Sequence, residues 1–166
     1  MKSLPVYAVD PARFLAGAYP LWILPDLAEA GVRSFIDLTE PDEHTVRAPR
    51  VPGYDAHLEL LSAQHGADLE RHSFPIEDFG VPSSALLDRI LAQIDDDRAR
   101  QRPVYLHCWG GYGRTGVVVG AWLVQHGRAT KDTFVDVIAE LRAHLSNHIG
   151  SPVTTQQIEF VRQYVG

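Results

Sequence analysis

Residues 104–124, VYLHCWGGYGRTGVVVGAWLV, decide the fold of this chain. The apolar run Val104–Leu106 predicts a buried strand, the glycine-rich segment that follows predicts a tight loop, and residues 117–124 predict a buried helix. In a strand–loop–helix unit of this kind, N–H groups of the loop and of the first helical turn point inward, and the helix dipole adds positive potential. The unit is therefore expected to bind an anion.

The only cysteine of the chain, Cys108, stands at the start of this loop, and Arg114 follows six positions later. The N–H groups that bind an anion also stabilise a thiolate, so Cys108 is expected to be ionised and nucleophilic at neutral pH. The planar guanidinium of Arg114 matches two oxygens of a phosphate or a sulfate. Gly110, Gly111 and Gly113 allow successive N–H groups to converge on one point.

The segment 107–116, HCWGGYGRTG, resembles the signature of the cysteine-dependent protein phosphatases, in which His-Cys, five residues and Arg-Ser/Thr follow one another. The match to the dual-specificity branch is close. The alternative is a buried, inert cysteine at the end of a strand. The resemblance implies that Cys108 attacks phosphorus and forms a cysteinyl-phosphate, with no metal or other cofactor. The residues that would bind the phosphate are Trp109, Gly110, Gly111, Tyr112, Gly113 and Arg114.

Two further residues of the signature are expected to support it. His107 would order the loop through hydrogen bonds, although a histidine packed at a strand end fits the same position. The hydroxyl of Thr115 can lie near the sulfur and would ease its departure as the leaving group. Trp109 either packs beneath the loop, which we favour from the sequence, or forms one wall of the pocket.

Residues 75–82, PIEDFGVP, are expected to supply a general acid. The oxygen that leaves phosphorus must be protonated, and a carboxylic acid on a loop can do so. In the resembling family this acid is an aspartate upstream of the signature, often with a proline a few residues later, which assigns the role to Asp78. Glu77 is the adjacent competitor. The tripeptide Trp-Pro-Asp of the longer tyrosine phosphatases is absent, which favours the compact dual-specificity branch.

Thr154 and Gln157 have the spacing of a capping box at the start of a last helix. Related phosphatases often carry a glutamine three residues before a phenylalanine, as Gln157 precedes Phe160 here. In the longer tyrosine phosphatases a downstream glutamine helps to position water. Capping and packing are the favoured roles of Gln157, and positioning of water is the alternative.

The rest of the chain predicts an α/β fold with a central, mainly parallel sheet of four or five strands flanked by helices, similar to dual-specificity phosphatases. Strands are predicted near residues 16–19, 33–38, 69–74 and 104–108, with a weak one at 54–57. Helices are predicted over 25–30, 55–65, 84–98 and from about 117 to 127, then from a cap at Thr130, and again from Thr154. The site is expected at the carboxyl end of a central strand.

Length, charge and cysteine content limit the number of domains, the kinds of binding partner and the cellular compartment. The 166 residues (18.4 kDa) fit one domain, 1–166, and the net charge of −6 argues against nucleic-acid binding. A single cysteine excludes an internal disulfide, and no apolar run approaches a membrane span. We expect a monomer without membrane insertion in the reducing cytoplasm, where a free thiolate persists.

The substrate is less constrained by the sequence than the chemistry is. Phosphoinositide and inositol-phosphate phosphatases of the superfamily usually carry lysines in the loop, as in CKAGKGRTG, whereas this loop has none. A phosphorylated protein or another phosphomonoester is therefore favoured, as for a tyrosine or dual-specificity phosphatase. Phosphoinositides or inositol phosphates are one alternative, and a non-catalytic phosphate-binding module is another. A rhodanese-like sulfurtransferase is disfavoured because its loop is not expected to end in GRTG.

Overall fold

The fold is an α/β layered structure around one five-stranded sheet. The computed structural model describes residues 6–44, 52–146 and 148–165. The strand order is β1-β2-β5-β3-β4, in which β1 is antiparallel to β2 and the other neighbours are parallel. This confirms the predicted fold class. The strands are β1 (Val6–Asp10), β2 (Phe14–Gly17), β3 (Ser34–Asp37), β4 (Glu70–Ser73) and β5 (Val104–His107).

Helices cover both faces of the sheet because its central strands are apolar on both sides. In β5, Tyr105 contributes to one hydrophobic core with α1 and α2, whereas Leu106 contributes to the other core with α3 to α6. The helices are α1 (Leu24–Glu29), α2 (Asp55–His65), α3 (Ser84–Ala99), α4 (Gly113–Gln125), α5 (Phe134–Leu141) and α6 (Thr155–Gln163). The strand that carries the signature is thus the most central one, and the loop leaves its carboxyl end.

Several helix ends follow the predicted local signals. Ser83 caps α3 by accepting the N–H of Leu86 at 3.1 Å. Gly66 ends α2 in the left-handed conformation, with φ of 59°. Thr154 and Gln157 form the predicted capping box of α6. These signals depend on a few neighbouring residues, which is why the sequence carries them.

Other boundaries differ from the sequence predictions. The predicted strand at 54–57 is wrong: Tyr54 and Leu58 are one helical turn apart and bury the same face of α2 against the sheet. Helix α4 begins at Gly113 rather than near Val117, because the end of the loop already forms the first helical turn. Thr130 is not the cap of α5, which begins after Thr133.

The first strand was missed because prolines interrupt the segment that contains it. β1 shows alternating burial and pairs with β2, which spans Phe14–Gly17 rather than 16–19. The sequence also predicts an extended segment over residues 1–20 and a loop over 39–53; residues 1–5 of the first and 45–51 of the second lie outside the described residues.

Candidate active site

The loop between β5 and α4 holds Cys108 at the base of a pocket. The Cys108 side chain is nearly buried, and its Sγ accepts the N–H of Gly111 at 3.3 Å. Gly111 has a φ of 76°, and a Cβ there would lie 2.4 Å from the backbone carbon of Gly17. Only glycine fits this position without moving the end of β2. The turn that aims an amide at the sulfur therefore depends on the contact between the loop and β2.

The pocket has a volume of about 150 Å³, which suits a small anion with part of its ester group. It collects residues from three separate segments of the chain. Glu77 is not among its lining residues and is exposed. Gly111 also lies outside the lining, and its N–H donates to the sulfur. The lining residues are Asp78, Phe79, Cys108, Trp109, Gly110, Tyr112, Gly113, Arg114 and Val153.

Trp109 is one of the residues that line the pocket, and its ring also packs against the segment after β2. Its side chain is half-buried and its ring lies 5.3 Å from that of Tyr19, centroid to centroid. The N–H of Tyr19 donates to the carbonyl of Trp109 at 2.9 Å, which ties the loop to the segment after β2. Trp109 thus combines the two roles that the sequence left open, because it packs against Tyr19 and also lines the pocket.

Arg114 is 1% exposed and is held by two carboxylates. Its two terminal nitrogens donate to the two carboxylate oxygens of Glu43 at 2.6 and 2.8 Å. One of these nitrogens, Nη2, also lies 2.9 Å from Oδ1 of Asp78. These interactions, opposed by burial, raise the pKa of Arg114 above its ordinary value, so the guanidinium stays charged. The site therefore places a fixed cation next to the thiol and next to the candidate acid.

Glu43 was not identified from the sequence. It lies in a polar loop that offers several equivalent acidic residues, and its partner is 71 positions away. Its side chain is buried, and it also accepts the N–H of Glu40. A buried guanidinium requires such a partner, since an unpaired buried charge is costly.

Glu43→Gln is expected to lower the free energy of unfolding by about 3 kcal/mol, because it leaves a buried cation with one carboxylate fewer. The substitution should also raise KM, since Arg114 would lose its fixed orientation. Urea titration and steady-state kinetics measure the two effects. Glu40→Gln is the matched control, being the same change in the same loop without a contact to Arg114. Indistinguishable results for the two variants would contradict the assigned role of Glu43.

His107 lies behind the loop in a buried hydrogen-bond network. Its Nδ1 lies 3.1 Å from the carbonyl of Cys108, and its Nε2 lies 2.7 Å from the hydroxyl of Tyr54. Because a carbonyl only accepts, Nδ1 carries the proton and Nε2 accepts from Tyr54 in neutral histidine. Asp37 lies behind this group, with Oδ1 3.9 Å from Nδ1. The network fixes the backbone at Cys108, as expected for an ordering role of His107. No local sequence pattern indicates Tyr54 as this partner, because it lies 53 residues away.

The stability of the protein should fall on acidification through His107. Burial lowers the pKa of His107 below its ordinary value of 6.5. As the pH falls below 6.5, the unfolded chain takes up a proton that the folded chain does not, so stability present above this pH is lost, by up to about 1.4 kcal/mol per pH unit. His107→Gln should remove this part of the pH dependence in urea titrations at about pH 7.5 and about pH 5.5. An unchanged pH dependence would show that His107 is not the group responsible.

Thr115 and Gln157, the two other supporting residues expected from the sequence, are both buried. Thr115 is in the first turn of α4, and its hydroxyl has no hydrogen-bond partner within the described part of the chain. This leaves it able to donate to a group in the site. Gln157 is 0% exposed and closes the capping box of α6, so the favoured role from the sequence is present.

The fold and the loop define the class of the protein as dual-specificity-phosphatase-like. A family model described as "Polymorphic toxin system, DSP-PTPase phosphatase" (Tc-R-P) matches residues 23–128. The chain belongs to this family of DSP-PTPase phosphatases.

Similar proteins carry names of the same class. Protein tyrosine phosphatase domain-containing protein 1 of Mus musculus is 30% identical over 135 residues, covering 81% of this chain but only 17% of the mouse protein. The crystal structure of Tk-PTP in the active form superposes with a TM-score of 0.73 at 22% identity, covering 97% of this chain and 96% of Tk-PTP. PTPMT1 in complex with PI(5)P gives a TM-score of 0.70 at 22% identity, covering 96% and 94% of the two chains. The two superpositions show a shared fold.

Proposed function

We propose that this chain hydrolyses phosphomonoesters through a cysteinyl-phosphate intermediate and that its substrates are phosphorylated proteins, as for a tyrosine or dual-specificity phosphatase. The observation that carries the proposal is the convergence of three groups on one small pocket. Cys108 accepts the Gly111 N–H at its base, and Arg114 and Asp78 lie 2.9 Å apart in its wall. Membership of the DSP-PTPase family supports the same chemistry.

In the first step the Cys108 thiolate attacks phosphorus in line with the leaving oxygen. A sulfur–phosphorus bond forms while the bond from phosphorus to the ester oxygen breaks. Asp78 gives its proton to that oxygen, which leaves as an alcohol or a phenol. In this proposal the loop amides and Arg114, which Glu43 holds in the pocket wall, stabilise the charge on the three equatorial oxygens. Because protein groups stabilise the negative charge of the transition state, the mechanism needs no metal.

In the second step water attacks the cysteinyl-phosphate. Asp78, now a carboxylate, takes a proton from the water, and the sulfur–phosphorus bond breaks to give inorganic phosphate and the thiolate. In this proposal the hydroxyl of Thr115, which has no hydrogen-bond partner within the described residues, donates to the leaving sulfur. The two steps return the enzyme to its starting state.

The surroundings of the pocket support a protein substrate more than a polyphosphorylated inositol. Phe79 and Val153 flank the pocket and are 63% and 41% exposed, so the rim is apolar and suits an aromatic or aliphatic side chain. A second pocket beside Asp78 is lined by acidic residues, including Glu40 and Asp42. The negative charge of these residues would repel the additional phosphate groups of such a substrate. The similarity of the fold to PTPMT1 in complex with PI(5)P keeps a phosphoinositide as the second candidate.

The setting of the reaction follows from the free thiol. We place the chain in a reducing compartment such as the cytoplasm, because an ionised cysteine is readily oxidised elsewhere. Residues 1–166 would act as one catalytic domain and as a monomer, without binding nucleic acid. Among the described residues, no helix is both long and apolar enough to cross a membrane.

The proposal is tested by release of inorganic phosphate from phosphotyrosine, phosphoserine and phosphothreonine peptides and from phosphoinositides, with p-nitrophenyl phosphate as the general substrate. We expect turnover of p-nitrophenyl phosphate and of at least one class of phosphopeptide, in the presence of a metal chelator. Preferential turnover of phosphoinositides would favour the second candidate. Binding of phosphate without any turnover would identify a non-catalytic module and overturn the proposal.

A further inference from the structure

The side chain of Gln157 makes more contacts than a capping box requires. Its Oε1 accepts the N–H of Thr154 at 3.2 Å, which completes the box at the start of α6, and also the N–H of Val153 at 3.1 Å. A glutamate at this position would accept the same bonds. The cap therefore uses only the oxygen of the carboxamide, and its NH₂ group is left for another partner.

That partner is the turn that carries the candidate acid. Nε2 of Gln157 donates to the carbonyl of Gly80 at 3.0 Å, across 77 positions of sequence. Gly80 is two residues after Asp78. Phe79, between them, has a φ of 60°, a left-handed conformation that is uncommon for a bulky residue. Since the oxygen of Gln157 faces two N–H groups and its nitrogen faces a carbonyl, the orientation of the amide is fixed by its partners.

The same segment also contacts the phosphate-binding loop. A Cβ at Gly113 would lie only 3.0 Å from Nε2 of Gln157, so the amide packs directly on the first residue of α4. The hydroxyl of Ser151 donates to the carbonyl of Tyr112 at 2.7 Å. Residues 151–157 therefore connect the acid turn, 78–80, to the loop that holds the nucleophile. This connection sets the position of one relative to the other.

We propose that Gln157 is a positioning residue for the general acid: its N–H donor holds the turn 78–80 so that the carboxyl group of Asp78 faces Arg114 and the pocket. Gln157 is not among the lining residues of that pocket, and it acts through Asp78. This inference rests on the proposed phosphatase function. The alternatives are that Gln157 positions water or that it only caps α6. Each alternative makes kinetic predictions that differ from those of this proposal.

The test compares Gln157→Glu with Thr154→Ala. Gln157→Glu keeps the acceptor of the capping box but replaces the donor to Gly80 with a carboxylate. Thr154→Ala removes the other half of the box and leaves the bond to Gly80. We expect Gln157→Glu to lower kcat/KM about tenfold for phenyl phosphate, a poor leaving group, and less than twofold for p-nitrophenyl phosphate. Thr154→Ala should lower the midpoint of thermal unfolding and leave this dependence on the leaving group unchanged.

The kinetic constants separate the alternatives because kcat/KM reports steps up to the first irreversible one, the transfer of phosphate to Cys108. A fall in kcat with unchanged kcat/KM for both substrates would indicate a role in positioning water. An equal fall for both substrates, or the same pattern in Thr154→Ala, would indicate a structural role. Each of these outcomes overturns the proposal. If Gln157→Glu does not fold, Gln157→Leu replaces it in the test, because leucine is neutral and of similar size. The same dependence on the leaving group is expected for this variant.

A double variant gives a second test. Once Asp78 is replaced by Asn, no acid remains to be positioned, so Gln157→Glu should cause no further loss with phenyl phosphate. Additive losses would contradict the proposal. If the wild-type chain hydrolysed no phosphomonoester, the proposed phosphatase function would fail. If the wild-type chain were active but its Gln157 variants kept a normal dependence on the leaving group, only the positioning role of Gln157 would fail.

Discussion

Cys108→Ser is expected to lower kcat/KM with p-nitrophenyl phosphate by about 10⁴-fold or more, because a serine hydroxyl is a far weaker nucleophile than a thiolate. The loop amides and Arg114 remain, so the variant should still bind inorganic phosphate. Binding is measured by calorimetry, and turnover by release of p-nitrophenol. The expected pattern is loss of chemistry with retention of the anion site.

Arg114→Lys provides the comparison, since it retains the thiol and the positive charge but loses the planar fork. We expect it to weaken phosphate binding, which Cys108→Ser should not do. Appreciable turnover by Cys108→Ser would refute nucleophilic catalysis by the sulfur. Loss of phosphate binding in the same variant would indicate that the loop had collapsed.

Asp78→Asn is expected to slow the cleavage of phenyl phosphate by about 10² to 10³-fold, in the range usual for removal of a general acid. The loss should be much smaller for p-nitrophenyl phosphate, because p-nitrophenolate leaves readily without a proton. A series of substituted phenyl phosphates measures the difference as a steeper dependence of kcat/KM on the leaving group.

Glu77→Gln is the matched control for this variant, since it makes the same chemical change one position earlier. Both residues are exposed, but Glu77 lies outside the pocket lining, whereas Asp78 lies in the lining and pairs with Arg114. Glu77→Gln should therefore behave as wild type. A selective loss with poor leaving groups in this variant would move the acid by one residue.

The residues of the phosphate loop could be predicted because the interactions that shape it are local. The segment from His107 to Thr115 contains the strand end, the glycines and the first turn of α4, so its arrangement is encoded in a few neighbouring positions. Asp78 could be named because PIEDFGVP resembles a known motif. The geometry favours Asp78 over Glu77, because Asp78 lines the pocket and pairs with Arg114.

The partners of the loop could not be predicted because they come from remote parts of the chain. Glu43 meets Arg114 across 71 positions, and Tyr54 meets His107 across 53. Each lies in a segment whose local pattern suggests only a polar loop or a helix start. The place of Trp109 depended in the same way on Tyr19, whose position is set by the sheet.

The contact of Gly111 with the end of β2 makes the shape of the loop a property of the whole sheet. The backbone of Gly17 supports the turn, and β2 is itself held beside β5 by parallel pairing. A peptide with the sequence HCWGGYGRTG, or the same ten residues grafted onto an unrelated scaffold, would carry the chemical groups without the surface that folds them inward. Inheritance of this activity by another protein would therefore require transfer of the neighbouring strand as well as the motif.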